Sequence, residues 1–129
     1  MSRILLDTQA LLFATISPTS LSDRARQVFA DGNTEKLLSY ASVWEMSIKL
    51  GIGKLKLPEP LGTWLRRLVD NRSLTLVEIG LEHLLAIETL PAHHGDPFDR
   101  LIAATCLAED FALLSNDSAF DTYGVRRVW

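Results

Sequence analysis

The sequence predicts an α/β domain with a mostly parallel central sheet flanked by helices. Three observations carry that prediction. Short apolar runs of strand length alternate with helix-period stripes along all 129 residues, the pattern that buries parallel strands between covering helices. Two of the runs end at acids, Asp7 after Ile4-Leu5-Leu6 and Asp117 after Leu113-Leu114-Ser115, and strand ends are where such sheets bind ligands. No repeat, linker or low-complexity stretch divides the chain, so residues 1–129 read as one domain.

The elements follow in order. Arg3 to Leu6 is an apolar run bounded by Asp7 and reads as a buried strand. Thr8 to Ile16 reads as a helix, with Asp7 placed to cap it. Ser22 caps a second helix, whose apolar positions Ala25, Val28 and Phe29 fall on one face. Leu37 to Tyr40 reads as a strand, and Ser42 to Leu50 as a helix stopped by a left-handed Gly51. Pro58 and Pro60 mark a turn before the helical stripe Leu61, Trp64, Leu65, Leu68, Val69. Leu74 to Ile79 is a strand, and Leu81, Leu84, Leu85 and Ile87 belong to a helix with His83 on its surface. Asp96 caps one more helix, with Pro97 at its favoured first position. Phe111 to Ser115 and Val125 to Trp129 read as the last two strands.

Composition narrows the class. With 47% hydrophobic and 22% charged residues the chain is an ordinary globular one, not a disordered or fibrous one. No apolar run approaches the roughly 18 residues that span a bilayer, and Asp7 arrives too early for a signal-peptide core. Cys106 stands alone, which excludes an intrachain disulfide and a multi-cysteine zinc site and points to a packed helix residue. The expectation is a soluble cytoplasmic protein. The net charge of −3 does not advertise nucleic-acid binding. Yet Arg supplies most of the 13 basic residues, and Arg is the better fork for phosphate.

Four carboxylates carry the chemistry: Asp7, Glu45, Asp99 and Asp117. Mg²⁺ and Mn²⁺ take hard oxygen ligands, few of them from the protein. Phosphodiester cleavage uses such ions to activate water and to neutralise phosphoryl charge. Acids gathered without an ion repel one another and hold their protons. Each acid also has a structural explanation. Asp7 can cap the helix after it, and Ser42-Val43-Trp44-Glu45 fits a capping box. Glu45 also stands four residues before Lys49, a stabilising helix pair. Asp117 can close an Asx turn. Asp99 is the hardest to explain away, because Ala103 and Cys106 on its own face leave it room to look into a site. His93 and His94 read as loop residues before a cap, since no further ligand falls at zinc-like spacing around them. Gly51-Ile52-Gly53-Lys54 lacks the spacing of a phosphate loop and follows a helix instead of opening one.

With these residues assembled, the chain resembles the PIN-domain ribonucleases, specifically the VapC-like toxins of type II toxin–antitoxin pairs. The matching pieces are Ile4-Leu5-Leu6-Asp7-Thr8, then Ser42 to Lys49, then Gly53-Lys54-Leu55. The most specific is His94-Gly95-Asp96-Pro97-Phe98-Asp99-Arg100-Leu101-Ile102-Ala103-Ala104. Leu113 to Asp117 follows, with Phe120, Tyr123-Gly124-Val125 and Trp129 behind it. The resemblance implies a PIN-like fold over residues 1–129 and a Mg²⁺ or Mn²⁺ pocket built from Asp7, Glu45, Asp99 and Asp117. In that pocket Asp7 and Asp99 are direct ligands, while Glu45 and Asp117 act directly or through water. Thr8 and Ser115 match positions where a hydroxyl orients a carboxylate or a bound water. The family often has Thr at position 115 and His at position 9, where this chain has Ser115 and Gln9.

The resemblance further implies metal-assisted hydrolysis of RNA to 5′-phosphate and 3′-hydroxyl ends. It implies a homodimer, and a cognate antitoxin whose tail covers the pocket and assembles further with it. Arg100 and Arg3 head the candidates for RNA contact, followed by Arg24, Arg26, Arg66, Arg67 and Arg72. A phosphoacceptor receiver domain would need adjacent acids after the first strand and a late Lys, but Thr8 follows Asp7 and the last Lys is Lys56. A dehalogenase-type phosphatase would need Asp at position 9, which is Gln. The alternative left standing is a catalytically silent PIN-like module that binds RNA or a protein.

Overall fold

A computed structural model describes residues 2–91 and 95–129. The expected reading of His93 and His94 therefore lies outside the described residues. The chain runs β1 (Ser2–Leu6), α1 (Thr8–Ile16), a 3₁₀ turn (Pro18–Ser20), α2 (Asp23–Ala30), β2 (Thr34–Ser39) and α3 (Tyr40–Gly51). It continues with α4 (Leu61–Asp70), β3 (Thr75–Val77), α5 (Leu81–Ile87), α6 (Pro97–Glu109), β4 (Ala112–Leu114), a second 3₁₀ turn (Ser118–Tyr123) and β5 (Arg127–Val128).

The five strands form one parallel sheet in the order β3-β2-β1-β4-β5. The mostly parallel sheet expected from the sequence is wholly parallel. Strand alternation sorts the core into two layers, because successive side chains leave a strand on opposite faces. Leu5, Leu37 and Leu113 face α6, where Ile102, Ala103 and Cys106 meet them. Ile4, Leu6, Leu38 and Leu114 face the other way, toward Leu11, Ala25, Trp64 and Leu65 of α1, α2 and α4. Helix α3 gives Ala41 to the first layer and Met46 to the second, so it straddles the two. Each fully buried Leu contributes roughly 1.5–3 kcal/mol from removed apolar surface, which makes β1, apolar on both faces, the anchor of the site that follows it. Burial holds the Cys106 thiol in its protonated form, its pKa pushed up to about 12.

Several boundaries differ from the sequence reading, for local reasons. β2 begins at Thr34, because it pairs with β1 along its whole length, Ser2 to Leu6 against Thr34 to Leu38. It ends at Ser39, whose hydroxyl accepts from the Ala41 N–H at 3.0 Å and caps α3. Tyr40 is therefore helical, and the expected capping box from Ser42 does not form. Ser42 lies inside the helix, fully buried, with its hydroxyl unpartnered among the described residues. The left-handed residue after α3 is Gly53 (φ 74°), with Gly51 still helical. His83 is a correction too. It is buried: Nδ1 accepts from the Gly80 N–H at 3.0 Å, and Nε2 lies 2.9 Å from Glu109 Oε1, tying α5 to α6. The last three strands are shorter than expected, and β5 keeps only Arg127 and Val128. Ser22 and Asp96 cap α2 and α6 as expected. No helix among the described residues is long and apolar enough to cross a membrane.

Candidate active site

In the order β3-β2-β1-β4-β5 the chain moves outward from β1 to β2 and later returns to β1's other side with β4. The crevice beyond the strand ends opens at such a reversal. Asp7 and Ser115 are the first residues past β1 and β4 there, joined by the Asp7 N–H donating to the Leu114 carbonyl at 3.1 Å.

Asp7 does two jobs. It caps α1 by accepting from the Ala10 N–H at 2.6 Å, and it accepts a hydrogen bond from the Ser115 hydroxyl. The same Ser115 oxygen accepts from the Asp117 N–H at 3.0 Å, so one buried hydroxyl fixes two acidic segments. Glu45 reaches the crevice from the second turn of α3 and is 8% exposed. Its Oε1 accepts from the Thr8 hydroxyl at 2.6 Å, and its Oε2 from Lys49 Nζ at 2.9 Å. Asp99 enters from the first turn of α6, held by Asp96, whose Oδ1 accepts from the Phe98 and Asp99 N–H groups at 2.8 and 3.2 Å. Asp117 caps the second 3₁₀ turn by accepting from the Ala119 N–H at 2.9 Å.

The four expected acids thus come together. Asp7, Glu45, Asp99 and Asp117 line one cavity of about 420 Å³, with Thr8, Gln9, Lys49 and Asn116 among its other walls. Burial is the largest cause that raises the Asp7 pKa above its usual range, and Asp117 and Glu45 add to it against the Ser115 and Ala10 hydrogen bonds. Burial likewise lifts Asp99 to about 7, with Asp96, Glu45, Asp7 and Asp117 pushing the same way. Among the described residues no three side chains converge on one ion-sized point as they stand. Each of Asp7, Glu45 and Asp117 already gives an oxygen to a protein donor. As a donor set of hard, mutually repelling oxygens, the cavity still fits a divalent cation.

The two arginines are placed differently. Arg100 follows Asp99, stacks 5.7 Å over the Tyr123 ring and donates from Nη1 to the Pro91 carbonyl at 3.0 Å. Arg3 lies near the start of β1, 5.0 Å over the Phe111 ring, at the opposite end of the strand from Asp7. The structure does not bring Arg3 to the cavity. The residue that sequence reasoning missed is Lys49, read only as a helix-surface partner of Glu45. Its signal was present, since position i+4 on a helix shares the face of position i.

The residues match the PIN domain family over positions 4–125. The chain belongs to the PIN-domain family. No curated relative matches it in sequence. Its fold is similar to the VapBC2 complex of Rickettsia felis bound to promoter DNA, with a TM-score of 0.73 at 17% identity over 98% of this chain and 97% of that one. It is similar to the DNA-bound VapBC of Salmonella typhimurium, at 0.71 and 16% over 99% and 98%. FitAcB of Neisseria gonorrhoeae follows at 0.65 and 17% over 98% and 96%. This PIN domain therefore spans nearly the whole of those folds.

The raised acids of the PIN domain make a pH prediction for the cation-free protein. A carboxylate that titrates near 7 when folded and near 3.8 when unfolded holds its proton more tightly in the native state. Its stabilising contribution is complete below 3.8 and is lost as pH rises through 7. Asp7 acts with the same sign. The melting temperature in EDTA should fall between pH 5 and pH 8, and millimolar Mg²⁺ should recover it at the upper end. A flat profile in EDTA would show that the acids are not electrostatically crowded.

Proposed function

We propose that this PIN domain is a divalent-cation-dependent ribonuclease, the toxin of a toxin–antitoxin pair neutralised by a cognate antitoxin. The observation that carries the reading is the convergence of Asp7, Glu45, Asp99 and Asp117 from four separate segments on one cavity at the strand ends. Asp7 and Asp99 would hold Mg²⁺ or Mn²⁺, with Glu45 and Asp117 completing the set directly or through water. When bound, the cation supplies an activated water and a counter-charge for the phosphoryl oxygens. Thr8 orients Glu45, and Ser115 orients Asp7 and the backbone of Asp117. Lys49 donates from Nζ to Glu45 Oε2 at 2.9 Å and so positions the carboxylate against the cavity wall. Among the described residues no histidine pair flanks the cavity, and attack by a cation-activated water would leave 5′-phosphate and 3′-hydroxyl ends. Arg100, beside Asp99, is the favoured contact for the RNA backbone.

The toxin role is supported by kinship of fold: besides the VapBC and FitAcB structures, the chain is similar to a toxin–antitoxin complex from Klebsiella pneumoniae, with a TM-score of 0.63 at 14% identity over 98% of this chain and 96% of that one. Function in the cytoplasm follows from that role. A homodimer is supported by a stripe of four large apolar side chains four residues apart, three on α3 and the fourth at its C-cap. They are Tyr40, Trp44, Ile48 and Ile52, from 41% to 60% exposed. Trp44 also packs edge-on against Phe98 of α6 at 4.8 Å, so a second copy seated here would lie beside the acidic cavity. Exposed apolar stripes of this kind mark contact surfaces. Trp44→Glu should halve the mass measured by light scattering, while a dimer that survives the substitution would place the interface elsewhere.

The deciding experiment is cleavage of labelled RNA by the antitoxin-free protein in Mg²⁺, Mn²⁺ or EDTA, with mapping of the new ends. Cation-dependent cutting with 5′-phosphates is the expected result. RNA retention without turnover in any cation would make the domain a silent binding module.

A further inference from the structure

A second cavity, of about 270 Å³, lies against the first, with Asp99 and Asp117 lining both. We propose that it is a subsite for one unpaired nucleobase next to the cleaved phosphate, selecting a base that offers amino or imino donors, guanine foremost. The proposal rests on the ribonuclease reading for its substrate and names what that site recognises.

The cavity is a product of two segments. One is the start of α6, with Gly95, Asp96 and Asp99; the other is the 3₁₀ turn after β4, with Phe120, Thr122 and Tyr123. Phe120 and Tyr123 are buried and fix an apolar wall. Gly95 lets the two segments close. A Cβ there would collide with the Tyr123 hydroxyl and come within 3.0 Å of Arg100 Cγ. The volume is below the ~300–1,000 Å³ of sites for drug-sized ligands, and on the scale of one heterocycle. An apolar wall with a polar rim is what a splayed single-stranded base requires, its face packed and its edge hydrogen-bonded.

The rim decides which base. Among the described residues its charged side chains are Asp96, Asp99 and Asp117, and a carboxylate turns acceptor oxygens, not N–H donors, toward a base. The Watson–Crick edge of guanine offers two adjacent N–H donors, a bidentate match to one carboxylate. Adenine and cytosine offer one amino group. Uracil turns two carbonyl oxygens toward the acids on either side of its single N–H, and repulsion disfavours it. Arg100, over the Tyr123 ring, stands next to the cavity, where a phosphate flanking the held base would pass. A carboxylate-rimmed base pocket sharing a wall with the phosphate site places recognition and cleavage one nucleotide apart.

The test uses short single-stranded RNAs that differ only in the nucleotide at each side of a fixed cut, carrying guanine, uracil or an abasic ribose there. Cleavage in Mg²⁺ and binding in EDTA by fluorescence anisotropy are measured for the full chain and for Ala119→Leu. Ala119 lines the cavity at an exposed position, and its replacement fills the space without touching an acid. At one flanking position the wild type should favour guanine over abasic by about tenfold, with uracil near abasic. In Ala119→Leu the guanine-to-abasic ratio should collapse to near one. Equal handling of all three nucleotides at every position by the wild type overturns the subsite, as does an unchanged ratio in Ala119→Leu. If no cation supports cutting but the binding ratio and its collapse are seen, the subsite stands and the nuclease reading fails. If cutting is cation-dependent and neither ratio departs from one, the reverse holds.

Discussion

Asp99→Asn should remove cation-dependent RNA cleavage by at least about a thousand-fold and at the same time raise the melting temperature in EDTA at pH 8. The two effects share one cause. Asp99 sits in the first turn of α6, where the helix dipole favours an anion. Even so, its pKa is lifted to about 7, by burial first and then by Asp96, Glu45, Asp7 and Asp117. The dipole, worth typically 0.3–1 kcal/mol, is therefore outweighed by desolvation and like charge. An amide of nearly the same shape ends that conflict and leaves the Asp96 cap in place, so the cation-free fold gains. The site loses a negative oxygen that a divalent ion would otherwise neutralise, so binding of Mg²⁺ should weaken with turnover. The measurements are single-turnover cleavage and thermal melts in EDTA and in Mg²⁺. Undiminished cutting by the variant would point to a contaminating nuclease or a misplaced site. Lost cutting with a lowered melting temperature would mean that Asp99 serves the fold and is not held there at its expense.

Much of this was legible in the sequence because strand burial and acid placement leave strong local marks. Leu5, Leu37 and Leu113 on one face of the sheet, and Ile4, Leu6, Leu38 and Leu114 on the other, give the near-continuous apolar runs of strands buried on both sides. Asp7 could be placed at a strand end for the same reason. What escaped was decided by pairing between distant segments. Thr34, Glu35 and Lys36 do not read as strand, yet β1 recruits them by register. Two serines three residues apart, Ser39 and Ser42, both offer to start α3, and only the strand pairing that ends at Ser39 settles which one caps it. His83 shows no local sign of burial, since its partner Glu109 is 26 residues away. The cavity shared between Gly95, Phe120 and Tyr123 likewise joins segments that no spacing rule connects.

Ser115→Ala should cost both stability and activity, and Ser115→Thr should restore much of the activity. Ser115 is fully buried just past β4. Its hydroxyl donates to Asp7 and accepts from the Asp117 N–H, across a sequence gap of 108 residues in the first case. Removing the oxygen strips Asp7 of a hydrogen bond that partly opposes its raised pKa. It also leaves the Asp117 N–H without that acceptor. Buried groups stranded in this way cost about 1–3 kcal/mol. Loss of a group that orients a metal-binding carboxylate typically costs ten- to a hundred-fold in affinity or activity. The two costs can be separated. If Ser115 only supported the fold, cleavage per folded molecule would be unchanged and the Mg²⁺ dependence would not move. If it positions Asp7 and Asp117, the Mg²⁺ concentration for half-maximal cleavage should rise in Ser115→Ala. Ser115→Thr restores the hydroxyl and adds only a methyl that must fit beside Leu114, so it should bring that concentration back toward wild type even where some stability is still missing.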